Sequence, residues 1–293
     1  MIGTAVLAGR YKQDSPEWHQ FRAEVIGSSD VAAVLGVGFK SAYTLWHEKR
    51  GLIAPLPVPP KMRRKYAYGH HMEPFIVDIF NEEHHGLVAQ IENGSWYHAE
   101  RAWQGCNPDS MIWQADGAGG GVIGLAELKT FPTLADWEGG PPAGYVAQLL
   151  WQVDTFGLPG GWLAGYANLS GDYVDYYYEA DPFTAGAVRQ KVRDFFNSEE
   201  PPEIDGSFGT YETIRRLNPS LERGVEVEIP EDIAERYLAA AAAYKFADGE
   251  MNKWKGHLLA HMGTAQFAIY EGKKIASRVA GRGADPVPYL KEQ

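Results

Sequence analysis

The chain has 293 residues, a formal net charge of −11 and one cysteine, Cys106. A single cysteine excludes a disulfide framework and a four-cysteine zinc or iron–sulfur site, and the negative charge argues against a surface coated with phosphate-binding residues. The sequence contains no run of about 18 apolar residues, so it predicts no membrane-spanning helix, and its N-terminus makes a poor signal peptide. A cytoplasmic protein is the simplest interpretation.

Three short helices are predicted near the start of the chain. A proline after Asp14 or Ser15 favours the first helix, which carries Arg22. Ser28 or Ser29 can cap the second helix, and a glycine follows its last apolar residue. The stretch SAYTLWHEKRG predicts the third, with basic residues in its last turn.

A further helix is predicted within GHHMEPFIVDIFNEEHHG, where apolar residues repeat at helical spacing. Pro74 fits best in a first turn, which places Glu73 near the helix start and on its apolar side. The alternative interpretation of Glu73 is a first-turn carboxylate that favours the helix dipole. The basic cluster KMRRK (61–65) before it is either a solvated loop or a phosphate contact.

Two strands, CNPDSMIWQ and GVIGLAELKT, are predicted to form a hairpin around the turn ADGAGGG. Asp109 and Glu127 are equally far from the middle of this turn, so we expect them to lie close together across the hairpin. Asp116 falls in the turn itself and is interpreted as a turn former.

Glu127 and Lys129 share a strand face with Ile123 and Leu125, because side chains alternate between the two faces of a strand. Burying charge on an apolar face is costly unless the charge is paired or binds a metal. The alternative is a Glu–Lys ladder on an exposed edge strand.

The rest of the chain predicts a helix, two more strands, another helix, a linker and a C-terminal segment. Within PPAGYVAQLLWQVDTFGLPGG, Tyr145, Gln148 and Gln152 lie on one helical stripe. The stretch from Ser198 to Ser207 is the best linker, followed by a strand-like VEVEIP, a long helix from about Glu231 to His261 and a hairpin. We therefore expect a core over residues 1–205 and an extension over residues 206–293.

Together these elements place three carboxylates and one amine in one group: Glu73, Asp109, Glu127 and Lys129. Carboxylate oxygens suit Mg²⁺ or Mn²⁺. Such an ion would offset the buried charge, polarise a phosphoryl oxygen and acidify a bound water, which a neighbouring lysine can position or deprotonate. An Asp followed by Glu-x-Lys on a paired strand is the PD-(D/E)xK nuclease pattern, here Pro108-Asp109 and Glu127-Leu128-Lys129.

The chain resembles the bacteriophage lambda-type exonucleases, also called the YqaJ-like viral recombinase family. Five elements carry this resemblance in the order that the family has them: WHQFRAEVIGSSDVAAVLG (18–36), GHHMEP (69–74), CNPD (106–109), ELK (127–129) and YVAQ (145–148). The resemblance implies an α/β fold of restriction-endonuclease type, with a central mixed sheet flanked by helices.

The resemblance also implies a role for each matching residue. Asp109 and Glu127 would hold the catalytic metal with the Leu128 carbonyl, and Glu73 would help hold a second metal. Lys129 would act on the attacking water, and Gln148 would orient that water or Lys129. The phosphate at the DNA 5′ end would be contacted by Arg22 and by Ser28 or Ser29.

Two departures from the family pattern leave questions open. The hairpin is longer than the family's, which keeps Asp116 as an alternative ligand. The family often has Q-x-Q on the later helix, whereas here Leu150 fills the second slot and Gln152 follows two residues later. The contribution of Gln152 is therefore left open.

By resemblance, the protein is expected to be a Mg²⁺-dependent exonuclease, with Mn²⁺ as a substitute. It would digest linear double-stranded DNA 5′→3′ and leave 3′ overhangs for recombination by single-strand annealing. The expected partners are a single-strand annealing protein and further copies of the chain in a ring such as a trimer, in the cytoplasm of a bacterial host as a phage or prophage product. The alternatives are an endonuclease or repair or defence nuclease on the same fold, and an inactive DNA- or partner-binding module.

Overall fold

The computed structural model describes residues 2–115, 120–281 and 288–292. Asp116, the alternative ligand, lies outside the described residues. The chain divides into two compact units, Met1–Ser220 and Leu221–Gln293. None of the helices in the described ranges combines the length and the apolar character needed to cross a membrane.

The first unit begins with a short strand and four helices, continues with five successive strands, and ends with two strands between further helices. Its helices are α1 (Pro16–Glu24), α2 (Ser28–Leu35), α3 (Ala42–Lys49), α4 (Pro60–Glu83), α5 (Ala143–Phe156), α6 (Pro182–Asn197) and α7 (Phe208–Leu217), with a 3₁₀ turn at Leu134–Trp137. Its strands are β1 (Ala5–Gly9), β2 (Leu87–Ile91), β3 (Ser95–His98), β4 (Arg101–Cys106), β5 (Ser110–Gln114), β6 (Gly124–Phe131), β7 (Gly160–Ala167) and β8 (Tyr173–Glu179).

Five strands form a central sheet in the order β2-β5-β6-β7-β8. The β6 and β7 strands are parallel, with α5 between them in sequence, and the other neighbours are antiparallel. A second sheet has the order β1-β3-β4. The predicted α/β architecture, with a central mixed sheet flanked by helices, is confirmed.

Helices cover both faces of the central sheet, and β6 is buried between them. On one face, Phe80 of α4 packs in a cluster with Ala126 and Leu128 of β6. On the other face, Leu149 of α5 packs with Leu163 of β7. Because side chains alternate along a strand, Glu127 points toward the α5 face, away from Ala126 and Leu128.

Two predicted helix starts are wrong. The α4 helix begins at Pro60, so Glu73 lies in the middle of a 24-residue helix and Pro74 is inside it. A proline suits the first helical position, and the basic segment after Pro60 continues the helix. The N-cap of α2 is Gly27, because the Asp30 side chain accepts a hydrogen bond from the Gly27 N–H at 3.1 Å.

The first unit also extends past the predicted boundary between residues 205 and 206. The α7 helix packs on α3 through buried hydroxyl pairs, Thr44 with Thr213 and Ser41 with Thr210, each at 2.8 Å. The division between units therefore falls after α7, at Ser220.

The second unit contains the long helix α8 (Glu231–Met262) and the strands β9 (Phe267–Tyr270), β10 (Lys273–Val279) and β11 (Tyr289–Glu292). The three strands form an antiparallel sheet, and Met262 packs with Ala268 and Ala276. The predicted long helix and hairpin are found, but VEVEIP forms no strand in the described structure, because no neighbouring strand pairs with it.

Candidate active site

The β5–β6 ladder brings Asp109 and Glu127 together. Ser110 pairs with Ala126, so the two carboxylate residues occupy the next step of the hairpin. The Leu128 N–H donates to Oδ2 of Asp109 at 2.9 Å, which fixes the aspartate against β6. The sequence predicted this proximity.

Glu127 is fully buried. Its Oε1 is ion-paired with the Lys129 ammonium, and its Oε2 accepts a hydrogen bond from Nε2 of Gln152 at 2.6 Å. Burial and, next, the charge of Asp109 raise the pKa of Glu127 to about 7, although Lys129 and Gln152 oppose this shift. A carboxylate whose pKa is raised in this way is a common feature of functional sites.

The Lys129 ammonium lies among negative charge. Its Nζ is 4.0 Å from Oδ2 of Asp109 and 5.2 Å from the centre of the Tyr145 ring. Burial acts to lower the pKa of Lys129, but the charges of Glu127 and Asp109 outweigh burial and raise it. The two carboxylates therefore favour the charged form of Lys129 in this structure.

Glu73 is the third carboxylate of this group. Burial and then the charge of Asp109 raise the pKa of Glu73, so the two carboxylates interact electrostatically. Oε1 of Glu73 also lies 2.7 Å from Nδ1 of His70, one turn earlier in α4. Although Glu73 is not near the helix start as predicted, the middle of α4 brings it toward Asp109.

The α5 helix presents a polar stripe to the Glu127 face of the sheet. Tyr145 contacts Lys129 and Gln152 contacts Glu127, with Gln148 half-buried between them along the helix. Within the described ranges, the Gln148 side chain forms no hydrogen bond. Gln152, whose contribution the sequence left open, is thus the glutamine that contacts a predicted metal ligand. Its position on the predicted helical stripe was the sequence feature that indicated this contact.

A second cluster of charges joins α1, α2 and α3. The Arg22 guanidinium donates to Oγ of Ser29 at 3.0 Å and to Oδ1 of Asp30 at 3.1 Å. Nζ of Lys49 lies 2.8 Å from Oδ2 of Asp30. Burial acts to raise the pKa of Asp30, but Lys49 and Arg22 outweigh burial and lower it.

The two clusters meet at Ser28. Ser28 is buried in the first turn of α2, and its Oγ accepts from Nε2 of Gln152 at 3.3 Å, while Ser29 is exposed beside Arg22. The structure thus brings all the predicted 5′-phosphate residues to the start of α2. Sequence reasoning missed Asp30 and Lys49, and the third helical position of Asp30 was its only signal.

The carboxylate cluster has the oxygen donors that a divalent cation prefers. In the described ranges, no three or more His, Cys, Asp and Glu side chains form a ready metal cage. The donor set nevertheless fits Mg²⁺, because it consists of carboxylate oxygens and because Asp109 raises the pKa of both Glu73 and Glu127. A cation would offset the repulsion between these carboxylates. In this structure the Lys129 ammonium offsets the negative charges of Glu127 and Asp109.

Comparison with known proteins gives the family. The sequence model of the YqaJ-like viral recombinase domain matches residues 17–159, which include every predicted site residue. This part of the chain is a YqaJ-like viral recombinase domain. The predicted family is therefore confirmed, while the role of each residue stays a prediction.

The YqaJ-like domain also has relatives among curated proteins and solved structures. The uncharacterised protein YqaJ of Bacillus subtilis is 24% identical over 234 residues, which is 76% of this chain and 70% of that protein. An alkaline exonuclease, LHK-Exo, from Laribacter hongkongensis is 21% identical, with a TM-score of 0.48 over 70% of this chain and 97% of that chain. Its complex with dAMP gives 0.49 over the same shares.

Proposed function

We propose that this protein is a Mg²⁺-dependent deoxyribonuclease that digests one strand of linear double-stranded DNA from its 5′ end. The 3′ single strands left behind would serve phage-type recombination by strand annealing. The observation that carries the proposal is the group of Asp109, Lys129 and the fully buried Glu127, with Glu73 beside it. Membership of the YqaJ-like family supports a nuclease.

We assign the metal-binding roles to the carboxylate cluster. Asp109, Glu127 and the Leu128 carbonyl would hold the catalytic metal, and Glu73 would help hold a second. When bound, Mg²⁺ or Mn²⁺ polarises a phosphoryl oxygen and makes a bound water more acidic.

The remaining side chains act on the reacting phosphate and water. Glu127 and Asp109 favour the charged form of Lys129, so its ammonium would stabilise negative charge that develops on the phosphoryl oxygens and would act on the attacking water. Gln148, on the same stripe of α5 as Tyr145, orients that water or Lys129.

The Arg22 cluster supports binding of a 5′ phosphate. Arg22 and Lys49 carry two positive charges against the single carboxylate of Asp30, which leaves a positive surplus at the N-terminus of α2. Arg22, Ser28 and Ser29 supply donors suited to phosphate oxygens. The terminal phosphate would then lie beside the carboxylate cluster, since Ser28 contacts Gln152.

The first half of α4 supports a DNA substrate. Its basic side chains, Lys61, Arg63, Arg64 and Lys65, are exposed and belong to the same helix as Glu73. The basic cluster KMRRK (61–65) is therefore helical rather than a loop. Its side chains can contact the phosphates of DNA that extends toward the site. Local positive charge of this kind is compatible with the net charge of −11.

We also propose that copies of the chain assemble into a ring, such as a trimer, around DNA, and that a single-strand annealing protein receives the 3′ strand. A ring would confine positive charge to a channel and leave an acidic exterior. Light scattering of the purified protein tests this, and a monomer at all concentrations would exclude the ring.

The test of the activity is digestion of linear duplex DNA labelled at one 5′ or one 3′ end, with Mg²⁺, with Mn²⁺ and with EDTA. We expect immediate, metal-dependent release of the 5′ label as mononucleotide, and its loss in Lys129→Ala. Internal fragments, or cutting of closed circular DNA, would indicate an endonuclease instead. Intact DNA with both metals would contradict the proposal.

A further inference from the structure

The side chain of Gln152 joins two groups to which the proposed function assigns roles. Its Nε2 lies 2.6 Å from Oε2 of Glu127 and 3.3 Å from Oγ of Ser28, and all three residues are buried. The shorter bond is charge-assisted, since its acceptor is a carboxylate oxygen. Ser28 adds a second, longer contact that locates the amide.

The orientation of this amide follows from its neighbours. If the amide were turned over, its carbonyl oxygen would face the Glu127 carboxylate, and two acceptors would repel each other. With Nε2 toward Glu127, Oε1 of Gln152 is a buried acceptor that has no donor within the described ranges. An unsatisfied buried polar atom costs about 1–3 kcal/mol, which an apolar side chain of the same size would avoid.

On the basis of the proposed function, we propose that Gln152 is the positioning residue of Glu127. Its Nε2 fixes one carboxylate oxygen, so that the other is directed to the side where Lys129 and Asp109 lie. Groups that hydrogen-bond a ligating carboxylate set its orientation and basicity and therefore the affinity for the metal. The polar cost of burying the amide is accepted because an apolar residue could not hold the carboxylate.

A matched control exists in the same unit. Gln104 is also buried, and its Nε2 donates to a carboxylate oxygen of Asp154 at 2.7 Å and to Oγ of Thr155 at 3.2 Å. Asp154 is paired with arginines, including Arg189 at 2.5 Å, and belongs to neither predicted binding group. Gln152 and Gln104 therefore make the same kind of bond, but only Gln152 makes it to a predicted metal ligand.

The test compares the full-length wild type with Gln152→Met and Gln104→Met, since methionine matches the length of glutamine but lacks the amide. Binding of Mn²⁺ alone is measured by calorimetry without DNA, followed by kcat and KM on linear duplex DNA. We expect Gln152→Met to weaken Mn²⁺ binding and lower kcat by about 10- to 100-fold with little change in KM. Gln104→Met should lower the unfolding temperature but leave Mn²⁺ binding and kcat unchanged.

Several results would overturn the inference. If Gln152→Met binds Mn²⁺ as tightly as the wild type, the Gln152 amide is only structural. The same conclusion follows if Gln104→Met loses as much Mn²⁺ affinity as Gln152→Met. If Gln152→Met does not fold, Gln152→Asn replaces it, since a shorter amide cannot reach Glu127, and the same loss is expected. A wild type that binds Mn²⁺ but leaves DNA intact would overturn the proposed function alone, and one that binds no Mn²⁺ would overturn both.

Discussion

The first unit contains two buried carboxylates, each paired with a lysine, whose surroundings shift the carboxylate pKa in opposite directions. Asp30 is paired with Lys49 and also with Arg22, and its pKa is lowered. Glu127 is paired with Lys129, but burial and the nearby Asp109 raise its pKa to about 7. Both carboxylates are buried, so it is the balance of neighbouring charge that makes their pKa shifts differ.

This comparison indicates what each cluster can bind. Two cations face one carboxylate at Asp30, and the surplus of positive charge favours binding of an anion such as a phosphate. At Glu127, Asp109 and Glu73 add negative charge that a single ammonium does not offset, which favours a cation. Lys49 also donates to the carbonyls of Arg22, at 2.5 Å, and Val25, at 2.7 Å, so the Asp30 cluster holds α1 and α3 together as well.

The largest expected effect separates activity from stability at Glu127. Glu127→Gln should lower the rate of DNA digestion by about 10³-fold, because a predicted ligand and a partner of Lys129 are lost. Its unfolding temperature should stay equal or rise, because a neutral amide avoids the cost of a buried charge. Digestion assays and thermal unfolding of the same preparation check this, and an active variant would remove Glu127 from the site.

Asp30→Asn should lower the stability of the protein, whereas Glu127→Gln should not. The change leaves Lys49 buried without its counter-charge, so we expect the free energy of unfolding to fall by about 3–5 kcal/mol in urea titrations. The exposed Asp172→Asn is the control, with an expected change within about 0.5 kcal/mol. A stable Asp30→Asn protein would mean that the two clusters do not differ as described.

Arg22→Gln tests whether the Asp30 cluster binds the 5′ phosphate of the substrate. Loss of charge-assisted bonds to a phosphate should raise KM for 5′-phosphorylated duplex DNA by about 10- to 100-fold, which corresponds to about 1.5–3 kcal/mol. DNA with a 5′ hydroxyl provides the control, because it lacks the group that Arg22 would bind. An equal rise in KM for both substrates would contradict recognition of the terminal phosphate.

The smallest expected effect is on the pH dependence of stability in EDTA. The folded pKa of Glu127, about 7, is above its ordinary value of 4.5, so its contribution to stability is present below pH 4.5 and is lost as pH rises to about 7. Asp30 has a lowered pKa, so its contribution is present above pH 3.8 and is lost in more acidic solution. Unfolding temperatures of Glu127→Gln should therefore be flatter than wild type between pH 4.5 and 7.

Local patterns were enough to predict most of the carboxylate cluster. The register of β5 and β6, with Ser110 opposite Ala126, is the one that symmetry about the predicted turn gives, and it brings Asp109 and Glu127 together. The helical stripe of α5 likewise predicted that Gln148 and Gln152 share a face. These relations span short stretches of chain, where backbone geometry alone determines which side chains are neighbours.

Contacts between distant segments could not be predicted in this way. The pairing of Asp30 with Lys49 depends on how α2 packs on α3, and nothing in the local pattern distinguishes Lys49 from other basic residues at a helix end. The start of α4 was wrong because Pro74 is compatible with a first turn by local rules, whereas the helix accommodates it in the middle.

The packing of α7 on α3 determines at which residue a truncated protein can end. A product ending at residue 205, as the linker composition favours, would strip the hydroxyl partners from Ser41 and Thr44. Ser41 and Thr44 would keep the bond between their own hydroxyls, at 2.8 Å, but the face of α3 that α7 covers would be exposed, so such a product should be less stable and more sensitive to proteases. Cloning boundaries for the first unit therefore belong at Ser220 or beyond.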